Sequence, residues 1–266
     1  MDLKKFFEIT NKLERETGKS VYNQSVEPNW MDIMVIGRYC RILHFNDDSI
    51  WCYEQAYPLT DSLDLPTEKK EELKSSVLSA KVLPYVEKGD YNYALTLCKE
   101  AIKLWSENAE AYCNQGVVFN YLGEFDKSYN SHSRAIELNP DLSQSWNAIG
   151  HVLVDYYKDH LKAIKYLDKA LELTEGKDTR AWINKGNALM WLGKYDAAIL
   201  CWETAYEIEP SCNVHAILNK AMVQDAVLND KKNAIRSLYS VLNDINEDHP
   251  QYQDVLSLLT DLKNEG

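Results

Sequence analysis

GEFDKSYNSHSRAIELNP, residues 123–140, returns in outline as GKYDAAILCWETAYEIEP, residues 193–210, with few positions identical. Each stretch opens on a glycine, runs through apolar residues at helical spacing and closes on a proline. A glycine can take the left-handed conformation that ends one helix, and a proline stops the next. Counting outward from Ala109 puts Tyr112 at position 4, Gly116 at 8, Phe119 at 11, Ser128 at 20, Ala135 at 27 and Pro140 at 32. Counting from Thr179 puts Trp182, Gly186, Leu189, Ala198, Ala205 and Pro210 at the same places, with Trp202 at position 24.

This pattern resembles the tetratricopeptide repeat (TPR) family. The resemblance implies a right-handed all-α solenoid of about six TPR-like helix pairs with terminal capping helices. In such a stack positions 8 and 20 carry small side chains because the two helix backbones approach there. Position 27 packs on the next unit, and large residues at 4, 11, 17 and 24 fill the space within and between units. Residues 143–178 fit through Trp146, Gly150 and Leu153, with Ala163 and Ala170 one place late; a longer first helix through VLVDYYKDHLKA, residues 152–163, would absorb the shift. Residues 75–108 fit through Tyr85, Gly89, Tyr91, Ala94 and Ala101 but depart at position 8, Val82, and position 10, Pro84, and Pro84 is expected to kink that helix. Residues 213–248 form a degenerate copy with Lys220 at position 8, and residues 30–63 another, with Gly37, Ser49 and Ala56 at positions 8, 20 and 27.

Outside the repeats, residues 1–29 are read as an amphipathic helix with a polar connector. Residues 64–74 form a connector in which Pro66, placed in a first helical turn, starts the next helix early, near Thr67. Residues 249–266 supply a C-terminal capping helix, with Val255, Leu259 and Leu262 on one face.

Composition limits what the solenoid does. The chain of 266 residues has a formal net charge of -12, and neither residues 1–74 nor the remainder is basic, which argues against a nucleic-acid partner. No apolar run reaches membrane-spanning length, and a soluble cytoplasmic protein is expected. The six cysteines form no CxxC pair and are expected to be reduced and mostly buried. TGKS at residues 17–20 lacks the upstream glycine of a phosphate loop, the histidines are scattered, and no catalytic spacing appears. No enzyme activity, cofactor or metal is expected.

By the family resemblance, positions 2, 5, 6, 9, 12 and 13 of the first helices face a concave groove. Here they include Asn114, Asn120, Tyr121, Asn147, His151, Arg180, Asn184, Asn187, Trp191, Gln224 and Asp225. An asparagine amide both donates and accepts, so such a set can clamp a peptide backbone without reading its sequence, while Tyr121 and Trp191 offer flat apolar contact. The lysines and asparagines by which some TPR proteins grip acidic EEVD-type chaperone tails are absent; Asn114 and Arg180 are its only traces. The expected function is a non-enzymatic scaffold binding a peptide segment of a partner protein in the groove. The competing reading is a self-associating homo-oligomer joined through terminal helices or exposed Trp51 and Trp105. On the groove reading, Asn184→Ala with Asn187→Ala is expected to leave stability nearly unchanged.

Overall fold

The structure, a computed structural model, describes residues 1–23, 28–210 and 213–264. Residues 24–27 of the expected connector and Cys212 lie outside that set. Among the described residues there are fourteen helices and no strand, and the chain divides into two compact units, residues 1–140 and 141–266. Each unit is an all-α solenoid segment.

The first unit begins with α1 (Leu3–Thr17), followed by the pairs α2 (Trp30–Ile42) with α3 (Asn46–Ser62), α4 (Thr67–Glu87) with α5 (Tyr91–Leu104), and α6 (Ala109–Tyr121) with α7 (Phe125–Leu138). Phe6, Ile9 and Leu13 of α1 are buried in one core with Ile33, Cys40 and Tyr53, so α1 closes the apolar end of the first pair. Trp51 packs against that core beneath the Lys5 ammonium, 5.0 Å from its ring. Trp51 and Trp105 are half-buried rather than exposed, which removes them as ready surfaces for self-association.

The second unit holds α8 (Ser143–Asp155) with α9 (His160–Leu173), α10 (Thr179–Trp191) with α11 (Tyr195–Ile208), and α12 (Val214–Ala226) with α13 (Lys231–Asp244). A final helix, α14 (Tyr252–Asn264), buries Val255, Leu259 and Leu262 and covers α13.

The turn inside each pair is left-handed at one fixed step. Gly89, Gly123 and Gly193 occupy it in three pairs, with φ of 79°, 72° and 72°, while His44, Lys158 and Asn229 hold positive φ at the matching step of the others. Past α7 and α11 the backbone leaves the helical region at Asn139 and Glu209, one residue before Pro140 and Pro210. A residue preceding proline is driven out of the helical region, so the two prolines end their helices as expected.

Three expectations are corrected, and one is located more closely. The extra residue of 143–178 does not lengthen the first helix: α8 has 13 residues, like α6 and α10, and the insertion lies in the turn at 156–159. Pro66 caps α4 from outside instead of sitting in its first turn. Pro84 is located rather than corrected: it lies in the last turn of α4, which continues to Glu87, so the hydrogen bond it removes is near the helix end. Finally, α12 starts at Val214, the structural counterpart of Ala109 and Thr179, so the last register begins one residue later than the sequence suggested. Small, fully buried Ala221 then takes position 8, and Lys220 takes position 7. Lys81 and Lys185 share that position, and each of the three lysines reaches an acid of the preceding second helix: Glu54 at 3.4 Å, Asp168 at 2.7 Å and Glu203 at 2.6 Å.

The small residue at position 8 also has a more specific cause than backbone approach alone. A Cβ built on Gly37, Gly116, Gly150 or Gly186 would stand 2.8, 2.5, 2.6 or 2.5 Å from Tyr53, His132, Leu167 or Trp202, the large side chain that the partner helix lays over it. Position 20 adds a bond: Ser49 and Ser128 hydroxyls donate to the Gly37 and Gly116 carbonyls at 2.8 and 2.9 Å. Cys40, Cys52, Cys98, Cys113 and Cys201 are buried free thiols, and burial pushes Cys98 up to about 12.

Candidate functional site

The amides expected to line a groove divide into two groups once their partners are known. In the first unit Asn114 is buried and its Nδ2 donates to the Ser79 carbonyl at 2.9 Å, tying α6 to α4. Asn120 is half-buried, its Oδ1 enclosed and without a partner among the described residues. Tyr121 alone of the three stands out, stacked on Tyr91 at 5.2 Å.

In the second unit Asn147 is buried too, and it ties α8 to both the N-cap and the body of α10. Its Nδ2 donates to Asp178 Oδ2 at 3.2 Å, and its Oδ1 accepts from Asn184 Nδ2 at 2.8 Å. Gln224 is buried and accepts from the Ser237 hydroxyl at 3.1 Å; counted from Val214 it falls at position 11, a core position, and not at the groove-facing position 12. Asn114, Asn147 and Gln224 are therefore internal connectors, which corrects their assignment as open contacts. Arg180 is exposed, its Nε 4.0 Å from Asp178.

Two of the remaining residues, Asn187 and Trp191, converge on one cleft. Asn187 and Trp191 of α10, with Met190, face Asn219, Met222 and Val223 of α12 and Asp155 of α8 across a cleft of about 260 Å³. Asn187 Oδ1 accepts from Trp202 Nε1 at 3.2 Å and from Asn219 Nδ2 at 3.3 Å. Two donors on one oxygen fix which way the Asn187 amide points, so its Nδ2 and the Asn219 Oδ1 are the groups left to face a ligand. Trp191 is 61% exposed and lies parallel to the His160 ring at 6.1 Å. At the cleft's edge His151 Nε2 is 3.1 Å from Asp155 Oδ2, and that hydrogen bond holds the Asp155 carboxyl below its ordinary range, so the edge is anionic at neutral pH.

Asn219 was missed because the last register was started one residue early. Counted from Val214 it falls at position 6, the place of Asn114 and Asn184.

The arrangement alters the stability expected of the amide variants. Asn187→Ala would leave the fully buried Trp202 without an acceptor for its indole N–H, a loss of about 1–3 kcal/mol. Asn184→Ala removes one donor to Asn147 and should cost about 1 kcal/mol. Urea unfolding of the single variants should rank them in that order; equal stabilities would mean that Asn187 does not hold the indole.

Paired helices with a fixed left-handed turn, a covered glycine and an amide-bearing face define a helical-repeat scaffold. The tetratricopeptide repeat family model matches residues 109–142 and 179–212, so the chain carries tetratricopeptide repeats over those two stretches. It is 30% identical over 136 residues to anaphase-promoting complex subunit 3 of Schizosaccharomyces pombe, a match covering 51% of this chain and 20% of that protein. The chain thus spans about a fifth of that relative. The structure of the APC/C hetero-tetramer Cut9–Hcn1 has a similar fold, with TM-score 0.71 and 16% identity over 96% of this chain and 46% of that one. YrrB, described as a TPR protein with an unusual peptide-binding site, is similar at TM-score 0.52 and 25% identity, over 68% of this chain and 90% of its own. No described helix is long and apolar enough to cross a membrane, and the described residues contain no group of His, Cys, Asp or Glu that could hold a metal ion.

Proposed function

We propose that this protein-interaction scaffold holds an extended segment of a partner protein in the cleft between α10 and α12. The observation that supports it is the pinned amide pair. One free donor on Asn187 and one free acceptor on Asn219 match the carbonyl and N–H of a single peptide unit, so they hold backbone whatever its side chains are. Trp191 and Met222 supply rigid and adaptable apolar contact beside it. Asp155 favours a cationic residue at the edge and disfavours an acidic tail, in line with the missing lysines of the EEVD grip. The free, buried thiols of the five described cysteines suit a cytoplasmic setting.

A photo-crosslinking residue placed at Trp191 tests this in native lysate, with the same residue at Leu200, 63% exposed on α11, as control. The expected result is an adduct specific to position 191 that disappears when Asn219→Ala is added. Asn219 is the better partner substitution because it leaves the Trp202 to Asn187 bond intact. Identical adducts at both positions, or adducts indifferent to Asn219, would remove the cleft as the binding site.

A further inference from the structure

The first unit presents an apolar strip, without amides, on the groove-facing positions of its first repeat. Helix α2 is covered on its core side, where Ile33, Met34, Ile36, Gly37 and Cys40 are buried. On its opposite face Met31, Val35, Tyr39 and Ile42 are 61%, 41%, 43% and 61% exposed. Their spacing puts them in one row along three turns. A contiguous row of large apolar side chains left in water marks an interaction surface.

We infer that this face docks an acidic amphipathic helix of a partner protein. The row carries no side-chain amide, so an extended peptide laid on it would bury N–H and C=O groups with nothing to satisfy them. A helix satisfies its own backbone and needs only a matching apolar stripe. The charge follows from Arg38, exposed beside the row, and Arg41 next to it, neither ion-paired among the described residues. Asp32, the helix's sole acid, is engaged at the N-terminus, accepting from the Asn29 backbone N–H at 2.9 Å. The strip is thus a local cationic site on a chain of net charge -12. A second copy fits it poorly, because a two-fold antiparallel pairing centred on the row brings the two Arg38 guanidinium groups together.

Two short synthetic helices test the proposal on the full chain by fluorescence anisotropy. Both carry leucines in one stripe; one is flanked by glutamates, the other by lysines. The net charge of the protein favours the lysine probe, so tighter binding of the glutamate probe reports the local site. The expected result is a preference of about tenfold or more for the glutamate probe, reversed by Arg38→Glu. Met31→Ser with Ile42→Ser should weaken both probes about tenfold. All three side chains are exposed, so these variants should keep the wild-type helical circular dichroism, and Trp191→Ala should leave binding unchanged, separating this surface from the cleft of the second unit. Preference for the lysine probe, or indifference to the serine pair, would overturn the inference. So would a concentration-dependent dimer abolished by the serine pair, which would assign the strip to a second copy.

Discussion

Trp202→Ala should lower the unfolding free energy of the second unit by about 3–5 kcal/mol, since it removes the largest fully buried side chain and leaves a cavity behind. Gly186→Ala acts at the other end of the same contact. A Cβ there would lie 2.5 Å from the indole Nε1 and 2.7 Å from Cδ1. The indole cannot retreat, because it is enclosed and its N–H is held by Asn187. Overpacking of this kind costs about 1–3 kcal/mol and exceeds the roughly 1 kcal/mol by which alanine is the better helix former. The two changes should be strongly non-additive. With the indole gone, the alanine methyl enters the space it vacated, and Gly186→Ala should become neutral or stabilising. A urea-unfolding double-mutant cycle gives the coupling directly. If Gly186→Ala costs the same in both backgrounds, the indole is not what excludes a side chain at that position.

That contact also separates what the sequence shows from what it hides. The recurrence of Gly116 and Gly186 was legible, and so were the helix pairs and the prolines that end them, because each depends on residues close together in the chain. The identity of the side chain over each glycine follows from helix pairing, and it differs from pair to pair: tyrosine, histidine, leucine and tryptophan fill equivalent space. The amides show the same limit. Asn147 meets Asn184 across 37 residues and Asn187 meets Asn219 across 32, and these separations differ because the first pair joins positions 5 and 6 of successive repeats and the second joins positions 9 and 6. Positional rules brought Asn187 and Trp191 to one surface but could not tell them from Asn114 and Gln224, whose amides are used inside. The strip on α2 was passed over for another reason. Met31, Val35 and Ile42 fall at positions 2, 6 and 13 of the degenerate first repeat, which are groove-facing by the positional rule, but apolar residues there were passed over in favour of amides, and their exposure is what singles them out.

Below neutral pH the first unit should lose stability through His132. This imidazole lies over Gly116, fully enclosed, and burial pushes it down from 6.5 to about 4. The neutral form is the one the fold accepts, so the folded state binds fewer protons than the unfolded state between those two values. Stability from this group is complete above pH 6.5 and declines as pH falls, by about 1.4 kcal/mol per unit, to a total near 3 kcal/mol by pH 4. His132→Leu places in this pair the residue type that already covers Gly150. Every other titratable group is common to both proteins, so the difference between wild type and variant isolates His132. Urea unfolding at intervals from pH 7.5 to 4 should give a difference that is flat above about 6.5 and then slopes steadily in favour of leucine. A flat difference throughout would mean that the folded chain admits the proton, and that the side chain over Gly116 opens to water more readily than its enclosure implies. A slope confined to the His132 protein would make one helix-pair contact the acid-sensitive element of the unit, with the matching tyrosine contact over Gly37 unaffected over the same range.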